Sequence, residues 1–379
     1  MRIAMVAGEA SGDLLASHLM RALRVHLPDV QFFGIGGPRM EAEGFDSWWS
    51  AERLAVNGIV DVLFRYRELL GIRNGLVKRL RAEPPDLFIG IDAPDFNLGL
   101  EEKLRKSGIP TAHYVSPTIW AWRGKRVFKI KRAADCVLCL FPFEPVLFEK
   151  HGVRAHFVGH PLADEFPLKP DREAARELLG IPKAPKVVAL LPGSRNGEVS
   201  RLADDFVATA RILHERHPEL RFVVPLVTRA TRHLFEEAIR RADAQELPIR
   251  ILFGHSREAM TAADAVLVAS GTATLEAALL KRPMVIAYRL ASLSYHIIKR
   301  LAYLPYVGLP NILGREFLVP EFIQDAVNPA AMADAIEKWL NDRTACEALA
   351  ERFDAIHHEL RQDNAARAAE ALLPLLRRR

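Results

Sequence analysis

Leu87-Phe88-Ile89-Gly90-Ile91-Asp92-Ala93-Pro94-Asp95-Phe96-Asn97 is an unbroken apolar run that ends at once in a carboxylate and a proline. Alternation of apolar and polar residues would mark a strand with one wet face. A continuous run marks a parallel strand covered on both faces. Pro94 halts any extension of the strand, and Asp95 is placed to cap a following helix, which makes it structural. Asp92 then sits at the strand's carboxyl end with no capping task of its own.

The same pattern recurs outward in both directions. Ile3–Ala7, Gln31–Ile35, Thr111–Val115, Val137–Leu140 and Ala155–Val158 read as further strands of one sheet. Between the first two, Leu15, Leu19, Leu23 and Leu27 form a single stripe at i, i+4 spacing, which is a helix with one buried face. This βαβ rhythm makes residues 1–160 one doubly wound domain. Residues 161–171 carry Pro161, Pro167 and Pro170, too many for a helix or central strand, and read as a linker. The rhythm restarts with Val187–Leu191, Phe222–Val227, Ile249–Phe253, Ala265–Ala269 and Met284–Tyr288. The expectation is α/β: two Rossmann-like domains facing across a cleft, the second spanning 172–345, with an Ala- and Arg-rich helical tail at 346–379 that packs back or exchanges in a dimer.

Composition narrows the class. The 379 residues are 50% hydrophobic and 26% charged, with 52 Lys and Arg against 47 Asp and Glu, for a net charge of +5. Mean hydropathy is +0.02. Disorder and disulfide-scaffold readings fail on these values. No stretch approaches the roughly 18–20 apolar residues of a spanning helix. The opening Met1–Gly8 run stops too soon, at Glu9, to be a signal peptide. Cys136 and Cys139 form a C-x-x-C inside an apolar strand, where odd spacing sends the two thiols to opposite faces. They read as core residues of a reduced protein rather than as ligands.

Ligands of such sheets bind beyond the carboxyl ends of the strands. The loop Gly8-Glu9-Ala10-Ser11-Gly12-Asp13 is not a dinucleotide fingerprint, and Gly34-Ile35-Gly36-Gly37 reads as a tight turn before Pro38. Asp13 is placed to cap its own helix. Two later loops have the chemistry of anion sites. Pro192-Gly193-Ser194-Arg195-Asn196-Gly197-Glu198 follows a strand and opens a long helix, so backbone N–H groups and the Arg195 guanidinium can meet phosphate oxygens. Ser270-Gly271-Thr272-Ala273-Thr274-Leu275-Glu276 repeats the layout, with Glu276 one turn into the helix and able to accept from ribose hydroxyls. Two anion sites in one domain suggest a diphosphate, and a carboxylate base in the other suggests transfer with a nucleoside diphosphate leaving group. D-x-D is absent from the sequence, so no metal site and no cofactor is expected. His151, His156 and His160 fall on a helix end, a strand and a linker, a spacing that reads as separate histidines rather than as a ligand set.

Two segments carry excess apolar and basic character. Residues 57–73 are amphipathic, with Val62, Tyr66, Leu69 and Leu70 on one stripe and Val60 and Leu63 beside it. A buried helix face and a membrane- or acyl-contacting face both fit this pattern. Residues 120–132 hold six cations and no anion, flanked by Trp120 and Trp122. No RNA- or DNA-binding motif accompanies them, and no nucleic-acid partner is expected.

Taken together, residues 6–13, 90–97, His113-Tyr114-Val115-Ser116-Pro117, Trp120-Ala121-Trp122-Arg123, Leu191–Arg195 and Ala269–Thr272 resemble the lipid-A-disaccharide synthases over essentially the whole chain. The resemblance implies an inverting GT-B glycosyltransferase, a hexosyltransferase of lipid A biosynthesis in Gram-negative bacteria. It would join UDP-2,3-diacylglucosamine to 2,3-diacylglucosamine 1-phosphate (lipid X) through a β-1,6 bond and release UDP. Asp92 matches the family's general base, Arg195 and Asn311 match residues needed for activity, and Glu9 matches a cleft position. The 60–70 segment resembles a membrane-contacting patch. A C-terminally swapped homodimer and a peripheral location on the cytoplasmic face of the inner membrane are implied as well. The nearest alternative of similar layout is a UDP-GlcNAc 2-epimerase.

Overall fold

The computed structural model describes residues 1–54, 59–120, 124–290 and 305–376, with the side chains of residues 52 and 59–66 outside that description. The chain divides into two compact units, Met1–Asp164 with Glu359–Arg379, and Glu165–His358.

The first unit is built on β1 (Arg2–Ala7), β2 (Gln31–Gly36), β3 (Asp46–Ser50), β4 (Leu87–Ile91), β5 (Thr111–Tyr114), β6 (Cys136–Cys139) and β7 (Ala155–Phe157). They lie in the order β3-β2-β1-β4-β5-β6-β7, and every pairing is parallel. All five residues of β4 are buried, as its unbroken apolar run requires. On one face, Leu15, Leu19 and Leu23 of the helix Ala10–His26 share a core with Ile3, Met5 and Ile89. Leu372, Leu375 and Leu376 of the C-terminal helix Asn364–Leu376 complete that core. Burying each such leucine contributes about 1.5–3 kcal/mol. On the other face, Ile72, Leu76 and Leu80 of the helix Ile59–Ala82 and Leu100 and Leu104 of the helix Pro94–Arg105 cover Ala4, Val6 and Phe88. Cys136 packs with the first face and Cys139 with a separate cluster around Val127, Ile130 and Phe148. Both are free thiols.

The second unit repeats the plan with β8 (Val187–Leu191), β9 (Arg221–Leu226), β10 (Ile249–Phe253), β11 (Ala265–Ala269), β12 (Met284–Tyr288) and β13 (Glu321–Ile323). Their order is β10-β9-β8-β11-β12-β13, again all parallel. In both sheets the chain starts in the middle, winds one way, then returns to wind the other. The reversal falls between β1 and β4 and between β8 and β11. Two strands have no counterpart in the apolar runs. The edge strand β3, Asp-Ser-Trp-Trp-Ser, is half-buried, and β13 is only three residues long.

Candidate active site

The point where strand order reverses is where open α/β sheets leave a crevice for ligands. In the first unit the loop after β1 carries Glu9 and the loop after β4 carries Asp92. These strands are direct neighbours, Ala7 pairing with Ile91. Glu9 precedes the helix Ala10–His26 as its N-cap but makes no side-chain cap hydrogen bond, and it is exposed. Asp13 does not cap its own helix. Its buried carboxylate accepts the backbone N–H groups of Gly37, Arg39 and Met40, each at 3.0 Å. It thus ties the first helix to the turn after β2.

Asp92 has φ 51° and Ala93 φ 40°, so two consecutive residues other than glycine hold the left-handed conformation. Such backbone is rare and clusters at functional sites. The Asp92 N–H donates to the Tyr114 carbonyl at 2.8 Å. Its half-buried carboxylate has no hydrogen-bond or ion-pair partner among the described residues. Asp95 is not the cap; Ala93 stands at that position, and Asp95 instead pairs with Arg126. Next door, Val115 after β5 has φ 75°, an unusual backbone for a β-branched residue. Strain therefore gathers at adjacent strand ends, β4 and β5.

In the second unit the two anion-type loops follow β8 and β11, also direct neighbours, with Leu191 opposite Val268. Gly193 has φ 128°, and a Cβ there would lie 2.4 Å from the Glu198 Cβ, so only glycine fits. Glu198 fills the mouth of this loop. It accepts the Ser194 N–H at 3.0 Å and the Arg195 N–H at 3.2 Å, and its other oxygen takes the Arg195 guanidinium at 3.2 Å. The Ser194 and Arg195 amides are therefore committed within the protein, while the Arg195 side chain stays largely exposed. After β11, Gly271 precedes the helix Thr272–Leu279 with no side-chain cap, which leaves the helix end open. Glu276 is half-buried in that helix. Desolvation holds its carboxyl above the usual range, opposed by the Arg257 charge.

Asn311 is fully buried. Its amide donates to the Val319 carbonyl at 2.9 Å and to Glu321 at 2.8 Å, and its oxygen accepts the Val319 N–H at 3.0 Å. Glu321 in turn accepts the Val307 and Gly308 N–H groups. Asn311 thus locks a turn onto the edge strand β13.

Of the suspected membrane stripe, Val60, Val62, Leu63 and Tyr66 have side chains outside the description. Leu69 is half-buried and packs against the core on its side of the sheet, and Leu70 is half-buried. No helix among the described residues is long and apolar enough to cross a membrane. Nor does any group of three or more His, Cys, Asp or Glu side chains gather there in a metal-binding arrangement.

The comparisons with known proteins bear on what this arrangement serves. Residues 3–373 match the profile of the family described as lipid-A-disaccharide synthetase. A lipid-A-disaccharide synthase of Aromatoleum aromaticum is 65% identical over 377 residues, covering 100% of this chain and 96% of the relative. One from Pseudomonas aeruginosa is 55% identical over 379 residues, covering 100% and 99%. Among solved structures, the UDP-GlcNAc 2-epimerase of Neisseria meningitidis bound to UDP-GlcNAc aligns with TM-score 0.67 at 11% identity, covering 99% of this chain and 100% of that one. MurG of Acinetobacter baumannii aligns with TM-score 0.59 at 14% identity, covering 98% and 99%. Those distant likenesses establish the two-Rossmann, GT-B type of fold and nothing finer. The 2-epimerase reading therefore has only shared architecture behind it, whereas the sequence matches span the whole chain. The chain belongs to the lipid-A-disaccharide synthase family and is a glycosyltransferase of lipid A biosynthesis.

Proposed function

We propose that the enzyme transfers 2,3-diacylglucosamine from UDP-2,3-diacylglucosamine to the 6-hydroxyl of 2,3-diacylglucosamine 1-phosphate (lipid X). The products are a β-1,6-linked disaccharide 1-phosphate and UDP, with inversion at the anomeric carbon. Asp92 is the general base: it takes the hydroxyl proton as that oxygen attacks the face opposite UDP. The observation that carries this reading is a carboxylate with no partner among the described residues, on a strained turn at the crossover point of its sheet. A positioned base typically contributes about 10²- to 10⁴-fold.

The leaving diphosphate is received by the Arg195 guanidinium and the open helix end at Ser270, Gly271 and Thr272, and Glu276 accepts from the ribose hydroxyls. Gly193 and Ser194 shape the loop that carries Arg195. With its amide fully engaged, Asn311 supports the site by holding the Gly308 turn rather than by touching UDP. Glu9 lines the acceptor side. The segment from Val60 to Leu70 meets the cytoplasmic face of the inner membrane, and exchange of the C-terminal helix joins two copies into a dimer.

Mass spectrometry of the product made from UDP-2,3-diacylglucosamine and lipid X tests the reaction. Asp92→Asn tests the base: turnover falls at least about 100-fold with UDP affinity unchanged. A variant that keeps more than about a tenth of the rate refutes the assignment.

A further inference from the structure

The turn that holds Asp92 is built without glycine. Asp92 and Ala93 both lie in the left-handed region, and neither is the glycine that such backbone favours. Backbone hydrogen bonds hold part of the turn, from the Asp92 N–H to the Tyr114 carbonyl and from the Phe96 and Asn97 N–H groups to the Ala93 carbonyl. The Asp92 carbonyl is held by a buried side chain, Asn97, fully enclosed in the first turns of the helix Pro94–Arg105. Its amide nitrogen lies 2.8 Å from the Asp92 carbonyl, 3.3 Å from the Ile91 carbonyl and 3.3 Å from the Val6 carbonyl. A single donor group thus gathers the ends of β1 and β4, the neighbouring strands whose loops carry Glu9 and Asp92.

Glu101, one helical turn on from Asn97, hydrogen-bonds His113 of β5 at 2.7 Å, and neither side chain is exposed. Glu101 and Asn97 both lie against Gly90, which pairs with His113 across the sheet. A Cβ at Gly90 would lie 2.0 Å from the Glu101 carboxylate and 2.9 Å from the Asn97 Cβ. Glycine at this point lets the helix sit close enough for Asn97 to reach the three carbonyls.

We propose that Asn97 is a positioning residue that aims the Asp92 carboxylate, an inference that rests on Asp92 being the base. Removing the amide releases the Asp92 carbonyl and lets the left-handed turn relax toward ordinary backbone. Small misplacements of a reacting group cost about 100-fold in rate.

The test is a double-mutant cycle on the full-length enzyme with Asn97→Ala, Asp92→Asn and their combination. Asn97→Ala is expected to lower kcat by about 10- to 100-fold, with KM for both lipids and UDP affinity within about threefold of wild type. In the Asp92→Asn background the same change should cost less than about threefold, because there is no base left to aim. If the two losses multiply, Asn97 acts elsewhere and the proposal is wrong. It is equally wrong if Asn97→Ala lowers Tm while kcat of the folded enzyme is unchanged. Should Asn97→Ala not fold, Asn97→Ser retains a donor too short to span three carbonyls, and wild-type kcat in that variant overturns the idea. Failure of both to fold assigns Asn97 to the scaffold alone and also overturns it. Asp92→Asn by itself reports on the base assignment, so the two readings fail separately.

Discussion

The Glu198 carboxylate accepts the backbone N–H of Ser194 at 3.0 Å. A carboxylate therefore stands where glycine, free amides and an arginine would otherwise make an anion site. It also pairs with the Arg195 guanidinium, the group proposed to receive the UDP diphosphate.

Two like charges competing for one guanidinium oppose each other. Glu198→Gln keeps an acceptor for the loop amides and removes the negative charge. UDP is expected to bind about three- to tenfold more tightly, since a unit charge a few ångströms away is worth about 1 kcal/mol in high dielectric. Calorimetry at two ionic strengths checks this, and the gain should shrink in high salt. Weaker UDP binding would mean that Glu198 orients Arg195 instead of competing with the nucleotide.

Asn311 separates structural from chemical importance. Asn311→Ala leaves the Val319 N–H and carbonyl and one Glu321 contact without their partner in a buried turn. The expected cost is on the order of 2–4 kcal/mol, read as a fall in Tm, with activity per folded molecule recovering at low temperature. Lost activity at unchanged Tm would instead give Asn311 a direct role at the substrate.

Much of the candidate site's layout was legible in the sequence because apolar runs end at the strand termini where open sheets of this kind receive ligands. Asp92, Arg195 and Ser270 each stand in the residues just past a strand, and the crossover of both sheets gathers those loops in neighbouring pairs. What could not be read were the partners. Asp13 serves the turn at Gly37 to Met40, more than twenty residues away, because β1 and β2 lie side by side. Asn97 was visible as a residue of the motif, but its three carbonyls belong to β1, to β4 and to the turn just past β4. Nothing in the residues marks Glu198 as a partner of its own loop, and only the backbone path at Gly193 turns it there. The strand β3 escaped because Trp48 and Trp49 are both half-buried at an edge, which leaves neither alternation nor a continuous run.

A last expectation concerns pH, and it follows from two buried groups near the carboxyl ends of β6 and β7. Glu144 accepts the Trp120 indole N–H at 3.1 Å and the Phe141 N–H at 3.0 Å. Desolvation nonetheless pushes its carboxyl up from 4.5 to about 7. His160, stacked on Phe141, is pushed down from 6.5 to about 4, again by desolvation. The folded chain holds the Glu144 proton more tightly than the unfolded chain. That stabilisation is complete below pH 4.5 and is lost as pH rises through about 7. His160 works in the opposite sense: its contribution is complete above pH 6.5 and is lost as pH falls through about 4. Each displacement corresponds to on the order of 3 kcal/mol, so across the shared window the two slopes nearly offset. Removing one partner should expose the other. In His160→Gln, Tm relative to wild type should fall as pH rises from about 4 to about 6.5. In Glu144→Gln it should fall as pH drops from about 6.5 to about 4.5. Calorimetric Tm measured against pH for both variants decides the matter, and parallel profiles would show that these two groups do not titrate as opposed buried charges.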